Sequence, residues 1–413
     1  MSTWLTNVRL EVGEQVSEDG HVQTLTALFH LEVSEEGIVQ ILPVSEVLPE
    51  VSAIDMAGKL ALPAFKERHN HLDKTYLSLG WKACRPVSKL SERLALEAAE
   101  LEVLAESVEQ RASAMIERHL SYGVNHIRTH VNIDPFIGLR NLEGVKKALK
   151  KYEPYLTYEI VAFPQHGLLE HAEVPDLLRQ ALASGATILG ALDPAGVDQA
   201  VEESLALTMA LAQEFDVDVD MHLHDRGEVG FYTMDRWLEM VEACGYTGRT
   251  AFSHAFGLAH LSPAMQTNFA QKLRAQQVEI MTTIPISIHN QLIPIDTLRQ
   301  QGVRVSVGCD GFYDSWNPNF SGDILEKVQQ FCEYTGKSSE RALRESLGLI
   351  TQGITPLDAN GQQVWPVVGD EASFVFVEAS CSAEVVARVP QNRQLMHQGK
   401  LYQASSNLHV PSK

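Results

Sequence analysis

The stretch ALPAFKERHNHLDKT (residues 61–75) opens on an apolar run and ends on two histidines two positions apart, His69 and His71, followed at once by Asp-Lys-Thr. Read as a β-strand, it sends both imidazoles out on one face, with Cα atoms about 7 Å apart. Two neutral imidazoles at that spacing can grip one ion. Alone the pair is a weak metal signal, because a histidine on a strand is more often an ordinary core or surface residue. Its weight depends on what the rest of the chain brings to the same edge.

Downstream, apolar strand-like runs recur, each followed by a helical pattern: NHIRTHV (125–131), YEIVAFPQ (158–165), ATILGALD (186–193), DVDMHLHD (218–225), TAFSHAF (250–256), VEIMTTIP (278–285) and VRVSVGCD (303–310). With the first, that makes eight. The stretches between them carry amphipathic helices, and several end in glycine-bearing turns such as SYGVN and QQGVR, the stops expected before a new strand. Eight alternations predict an α/β fold, a (β/α)8 TIM barrel. An open doubly wound sheet is the alternative, but no glycine-rich phosphate loop follows any strand.

Residues 1–58 read instead as short alternating strands, and so do parts of 346–413. Neither end has enough strands for a stable sheet alone. The expectation is a small β-sandwich-like domain formed from both chain ends, flanking a barrel over 59–345.

Barrel active sites lie at the C-terminal ends of the strands, and here those ends are polar. His69 and His71 end the first, Arg128 and His130 the second, Gln165 and His166 the third, His222, His224 and Asp225 the fifth, His254 the sixth and Asp310 the eighth. Of the 16 histidines, six fall at the ends of strands one, two, five and six. His69, His71, His222 and Asp310 give three nitrogens and a carboxylate, leaving room for water as catalytic metal sites do.

The 413 residues carry a formal net charge of −20 and are 45% hydrophobic. That is ample for a large core and argues against nucleic-acid or membrane-surface partners, which call for basic patches. The five cysteines are scattered, without a CxxC pair, which fits a reducing compartment. No run reaches the length of a membrane span and no secretory signal is visible, so a cytoplasmic location is expected.

The stretches HNHLDKT, RTHVNID, IVAFPQHG, DVDMHLHD, FSHAF and VGCDGFYDSW, in this order over about residues 60–320, resemble the amidohydrolase superfamily in its cytosine deaminase-like and N-isopropylammelide amidohydrolase-like branch. The resemblance implies hydrolysis at a ring or amide carbon and one catalytic divalent metal, zinc or iron. It implies His69, His71, His222 and Asp310 as ligands, His254 as the histidine assisting the attacking water, and Gln165 as a substrate contact. No lysine in ATILGALDP matches the bridging residue of two-metal members. Where cytosine deaminases place His-x-Asp-Glu, this chain has His222-Leu223-His224-Asp225. Asp225 stands at the proton-shuttling glutamate, one methylene shorter, and His224 replaces an aspartate, so either supplies the proton. Cytosine itself becomes a doubtful substrate.

The expected activity is a deaminase acting on a ring amidine carbon of a small heterocyclic substrate. Cyclic-amide hydrolysis is the alternative, and a non-catalytic metal-binding barrel the remote one. Asp314 and Trp316, beyond the eighth strand, are expected to wall the pocket. Arg128 and His130 are read as supports that orient ligands, and Asp73 and Lys74 as a pair tied to each other or to loop backbone. His166 and His289 are read as loop residues without a role, and Cys309 as packing. A homo-oligomer is compatible with all of this.

Overall fold

The computed structural model describes residues 2–46, 48, 53–284 and 292–403; His289 lies outside them. Two sheets organise the chain. The first gathers β1 (Thr3–Val16), β2 (Val22–Ser34), β3 (Gly37–Pro43), β4 (Ala53–Asp55) and β5 (Leu60–Pro63) from the N-terminal end. The second is an eight-stranded parallel sheet in sequence order: β6 (Phe65–Asn70), β7 (Val124–Asn132), β8 (Thr157–Phe163), β9 (Ile188–Leu192), β10 (Asp218–His222), β11 (Thr250–Ser253), β12 (Glu279–Thr282) and β13 (Arg304–Val307). The chain then returns to the first sheet with β14 (Phe374–Val377), β15 (Arg393–His397) and β16 (Lys400–Leu401).

The seam between the chain ends is the antiparallel pair β5–β14, which sets Phe374 opposite Pro63 and Val377 opposite Leu60. Leu5, Val8, Leu31, Trp365, Phe374 and Phe376 are buried in this sheet's own core. Leu60–Pro63, grouped with the barrel in the sequence reading, therefore pairs in the small sheet, and the barrel begins at Phe65.

The parallel sheet is a TIM barrel. Its strands are buried along their length, as in β9 and β11, because helices cover the outside. The helix Arg140–Tyr152 shows the pattern: Leu142, Val145, Ala148 and Leu149 form its buried stripe, and its lysines lie away from it. Closure occurs where β6 meets the end of β13, by a parallel bridge between Asn70 and Asp310 in which the Asp310 N–H donates to the His69 carbonyl at 2.8 Å. Gly308 makes this approach possible. A Cβ there would lie 2.6 Å from the His69 carbonyl oxygen and 2.7 Å from Glu67 Oε1, closer than side-chain atoms pack.

Below the polar strand ends, the barrel interior holds a charged layer. Arg128 donates to Glu159 at 2.8 Å and to Asp220 at 2.9 Å, and Arg68 donates to Glu159 at 2.7 Å and to Glu279 at 2.9 Å. Arg128 was expected at a strand end. It lies inside β7 instead, because that strand continues in register with β8 as far as Asn132 opposite Phe163.

Candidate active site

The C-terminal strand ends open into a cavity of about 630 Å³ whose lining includes His71, His222, His254, Asp310, Gln165 and Lys74. His69 and His71 come from β6 and the turn after it, His222 ends β10, and Asp310 follows β13. His69 Nε2 lies 3.6 Å and His71 Nε2 3.4 Å from the same oxygen, Oδ1 of Asp310. The His222 ring centroid is 4.7 Å from that of His69 and 5.5 Å from that of His71. One ligand atom from each of His69, His71 and Asp310 falls within 4.8 Å of the others, as do those of His69, His222 and His254.

Hydrogen bonding prepares two of these imidazoles as ligands. The Ser253 hydroxyl donates to Asp220 Oδ1 at 2.5 Å, so its oxygen accepts from the Nδ1–H of His69 at 2.9 Å. His71 Nδ1 lies 3.2 Å from the His130 carbonyl, which can only accept. Both rings therefore carry their proton on Nδ1 and keep the Nε2 lone pair free. His69 Nε2 and both His222 nitrogens are buried without a hydrogen-bond partner among the described residues, a costly arrangement unless an ion is shared among them. Burial holds His222 and His254 well below the usual histidine range and pushes His71 down to about 3, so these rings are neutral and ligand-competent at pH 7. Burial works against the Asp310 carboxylate, but the His69 and His71 imidazoles beside it hold its pKa well below the ordinary value. The donor set fits a divalent metal ion.

Beside this set lies a second arrangement. His224 Nδ1 is 2.8 Å from Asp193 Oδ2, and the His224 backbone N–H donates to Asp193 Oδ1 at 2.6 Å. Burial disfavours a charged His224, but Asp193 outweighs it and raises the pKa. The His224 ring stands 4.2 Å from His254, which is itself 4.7 Å from His69. His254, Asp310 and Asp193 adopt left-handed backbone, φ 65°, 60° and 35°, a conformation that concentrates where side chains are aimed at a site.

Asp225, expected as a possible proton carrier, does not line the cavity. Its Oδ2 accepts from the Gly196 N–H at 3.0 Å, and its carboxylate packs so close that a Cβ at Gly196 would meet Oδ1 at 2.4 Å. It braces the loop after β9. Lys74 also departs from expectation. It donates to Gln165 Oε1, lies 3.4 Å from Glu97 Oε1, and stands 5.6 Å over the Phe163 ring and 5.7 Å over the Trp316 ring. Its neighbour Asp73 is structural, accepting from the Asn132 N–H and the Asn141 amide. Asp314 and Trp316 both line the cavity. Asp314 Oδ1 accepts from the Trp316 and Asn317 N–H groups at 2.8 and 2.9 Å, which fixes the turn carrying Trp316, and burial pushes this carboxyl up to about 7. His166 packs away from the cavity, 3.6 Å from Asp134.

Asp193, Asp220 and Ser253 escaped the sequence reading, and Lys74 was read only as tied to Asp73 or to loop backbone. A signal existed for two of them: Asp193 ends the fourth strand-like run, and Asp220 precedes His222 by two on the same strand face.

An amidohydrolase family model matches residues 102–400. The chain is 37% identical over 404 residues to the uncharacterized protein YahJ of Escherichia coli strain K12, covering 96% of this chain and 87% of that protein. It is 28% identical over 337 residues to N-isopropylammelide isopropyl amidohydrolase of Pseudomonas sp. strain ADP, covering 81% of this chain and 80% of that one. The crystal structure of N-isopropylammelide isopropylaminohydrolase from Burkholderia multivorans superposes with a TM-score of 0.84 at 28% identity, over 97% of this chain and 98% of that one.

Proposed function

The chain belongs to the amidohydrolase family, and from that premise we propose that it is a metal-dependent hydrolase releasing ammonia or an amine from a ring amidine carbon of a nitrogen heterocycle, a pyrimidine, triazine or related ring. The observation that carries the reading is the placement of the His224–Asp193 dyad in the same cavity as the His69, His71, His222 and Asp310 donor set. Two relatives whose names specify removal of an isopropylamine group from N-isopropylammelide, at 28% identity each, support an amine-bearing ring carbon as the point of attack.

A divalent ion in the donor set, one zinc or one iron, supplies Lewis acidity and lowers the pKa of water towards about 7. The chain's own groups do the rest. His254 and Asp310 orient the attacking water by hydrogen bonds. Asp193 holds the Nδ1–H of His224, which leaves Nε2 to take a proton from that water and deliver it to the ring nitrogen or the departing amine. Gln165 both donates and accepts, matching a ring edge with C=O and N–H, and Lys74 offers a charge to a ring oxygen. Trp316 and Phe163 wall the cavity. No helix among the described residues is long and apolar enough to cross a membrane. With the acidic net charge, that supports a cytoplasmic enzyme of small heterocycles without nucleic-acid or membrane partners.

The test is purified protein loaded with zinc or iron and screened over pyrimidines, triazines and pterins for free ammonia and amine. Release of either in a metal-dependent way is expected. Ring-opened product without ammonia or amine would move the activity to cyclic-amide hydrolysis. Failure to bind metal would remove the catalytic reading.

A further inference from the structure

The mechanism above leaves one buried cation in the cavity wall unused. Lys327 lies on the helix Ile324–Thr335, in the stripe it shares with Ile324, Val328 and Phe331, all buried. An apolar residue is the ordinary occupant of such a position. Lys327 is 3% exposed, and burial pulls its pKa below the usual lysine value. Its ammonium donates to the Ile284 carbonyl at 3.3 Å and sits 4.3 Å over the Phe320 ring. Among the described residues no carboxylate lies within ion-pair distance of it. Arg68, Arg128 and Arg393, by contrast, each face a carboxylate at 2.9 Å or less, and Arg111, buried without one, donates to three backbone carbonyls and the Ser107 hydroxyl.

Lys327 lines the catalytic cavity together with Thr283 and Ile284, which follow β12. The Thr283 hydroxyl is 8% exposed by residue and has no hydrogen-bond partner among the described residues. The bond from Lys327 to Ile284 ties these groups into one corner of the wall. Among the described residues the close contacts of this ammonium are a carbonyl and an aromatic face, with Asp310 and Glu67 acting on it from beyond ion-pair distance; a desolvated charge so placed, near an unpaired hydroxyl, is unfavourable unless a ligand completes it. A divalent ion in the donor set deepens the need, because it adds positive charge on the same side of the barrel. The cavity, at about 630 Å³, also exceeds the volume of a bare six-membered ring several-fold, so the substrate has room for a substituent.

We propose that Lys327 and Thr283 form an anion subsite of the catalytic cavity, so that the preferred substrate is a ring bearing a carboxylate, held by a charged hydrogen bond from Lys327 and a neutral one from Thr283. The proposal rests on the heterocycle reading for the ring and on the cavity wall alone for the anion, and two probe pairs separate them.

The experiment measures dissociation constants on the metal-loaded protein for uracil against uracil-5-carboxylate and uracil-6-carboxylate, and for benzamide against benzoate. In the wild type a carboxylated uracil is expected to bind roughly ten- to a hundred-fold more tightly than uracil, the size of one charged hydrogen bond. That ratio should fall to near one in Lys327→Met and drop severalfold in Thr283→Val. Each ratio is taken within one variant, so a loss of folded protein cancels. Equal binding of the neutral and carboxylated uracils by the wild type overturns the subsite and leaves the heterocycle reading standing, and so does a preference that survives Lys327→Met. If no uracil binds while benzoate outcompetes benzamide only when Lys327 is present, the subsite stands and the heterocycle reading falls. If benzoate shows no such preference either, the subsite is overturned.

Discussion

Asp193 grips His224 at two points, with one carboxylate oxygen 2.6 Å from the His224 backbone nitrogen and the other 2.8 Å from ring Nδ1. The imidazole is thereby fixed in both position and tautomer. Asp193→Asn keeps the shape but removes the negative charge and presents an amide that cannot accept twice. Turnover should fall by about 10²–10⁴-fold, the usual worth of a positioned general acid–base group. Metal content should not change, because the Asp193 side chain bonds His224 and no ligand of the donor set, and the one contact with a ligand, from the Asp193 backbone N–H to the His222 carbonyl at 3.0 Å, is kept in the variant. Measuring kcat beside metal stoichiometry checks this. A variant that loses its metal would show that Asp193 serves the donor set instead.

Asp225→Asn carries the opposite expectation. Its carboxylate accepts from the Gly196 N–H outside the cavity, so kcat should stay within a few-fold of wild type while thermal stability drops slightly. A loss of kcat comparable to that of Asp193→Asn would return the proton transfer to Asp225.

The contrast shows what the sequence could and could not convey. The donor set was legible because strand alternation places His69 and His71 on one face, and because barrel strand ends converge whatever the loops do. The choice between His224 and Asp225 was not. They are adjacent, and which one faces the cavity depends on the loop after β9, whose Asp193 and Gly196 hold one residue each. Lys74 was hidden for a similar reason. Its partners Gln165 and Glu97 come from distant segments, and no local pattern announces them. Lys327 is a mismatch between an apolar helix stripe and a charged residue, visible only once the stripe is known to face a cavity.

His222 has no hydrogen-bond partner at either nitrogen among the described residues, which leaves the ring to the divalent ion proposed above. His222→Ala should lose bound metal and turnover together. Chelation of the wild type should abolish activity, and zinc or iron should restore it. The melting temperature should rise on reloading, since an ion that binds only the folded state stabilises it. Full metal occupancy and activity in His222→Ala would sink the assignment of this ligand.

Ser253 reaches the ion only through His69. Its hydroxyl accepts from the Nδ1–H of His69 and donates its own O–H to Asp220. Ser253→Ala leaves that N–H without an acceptor and frees the ring to change tautomer. Metal affinity should fall by about 10–100-fold, read by competition with a chromogenic chelator. Excess metal should recover most of the turnover, which separates this loss from that of a group acting on the substrate.

The charged layer beneath the site sets the response to acid. Glu159 accepts from Arg68 and Arg128, and although burial opposes its charge, His126 and these arginines hold its pKa well below the ordinary glutamate value. A carboxylate depressed in the folded state contributes stability that is fully present above its unfolded pKa of about 4.3 and is lost as pH falls from there towards the folded value. Burial lowers the His126 pKa as well, so below about 6.5 the unfolded chain takes up that proton first and stability declines in the same direction. Glu159→Gln leaves two interior guanidiniums short of a counter-charge. It should cost about 3 kcal/mol at pH 7, the lower end for breaking a buried pair because solvent reaches part of this carboxylate. That gap should narrow as pH falls from 5 to 3, where Glu159 of the unfolded wild-type chain takes up its proton while the folded carboxylate stays ionised. Urea unfolding midpoints across this range check both claims. A gap that stays constant would mean that Glu159 acts through packing and not through its charge.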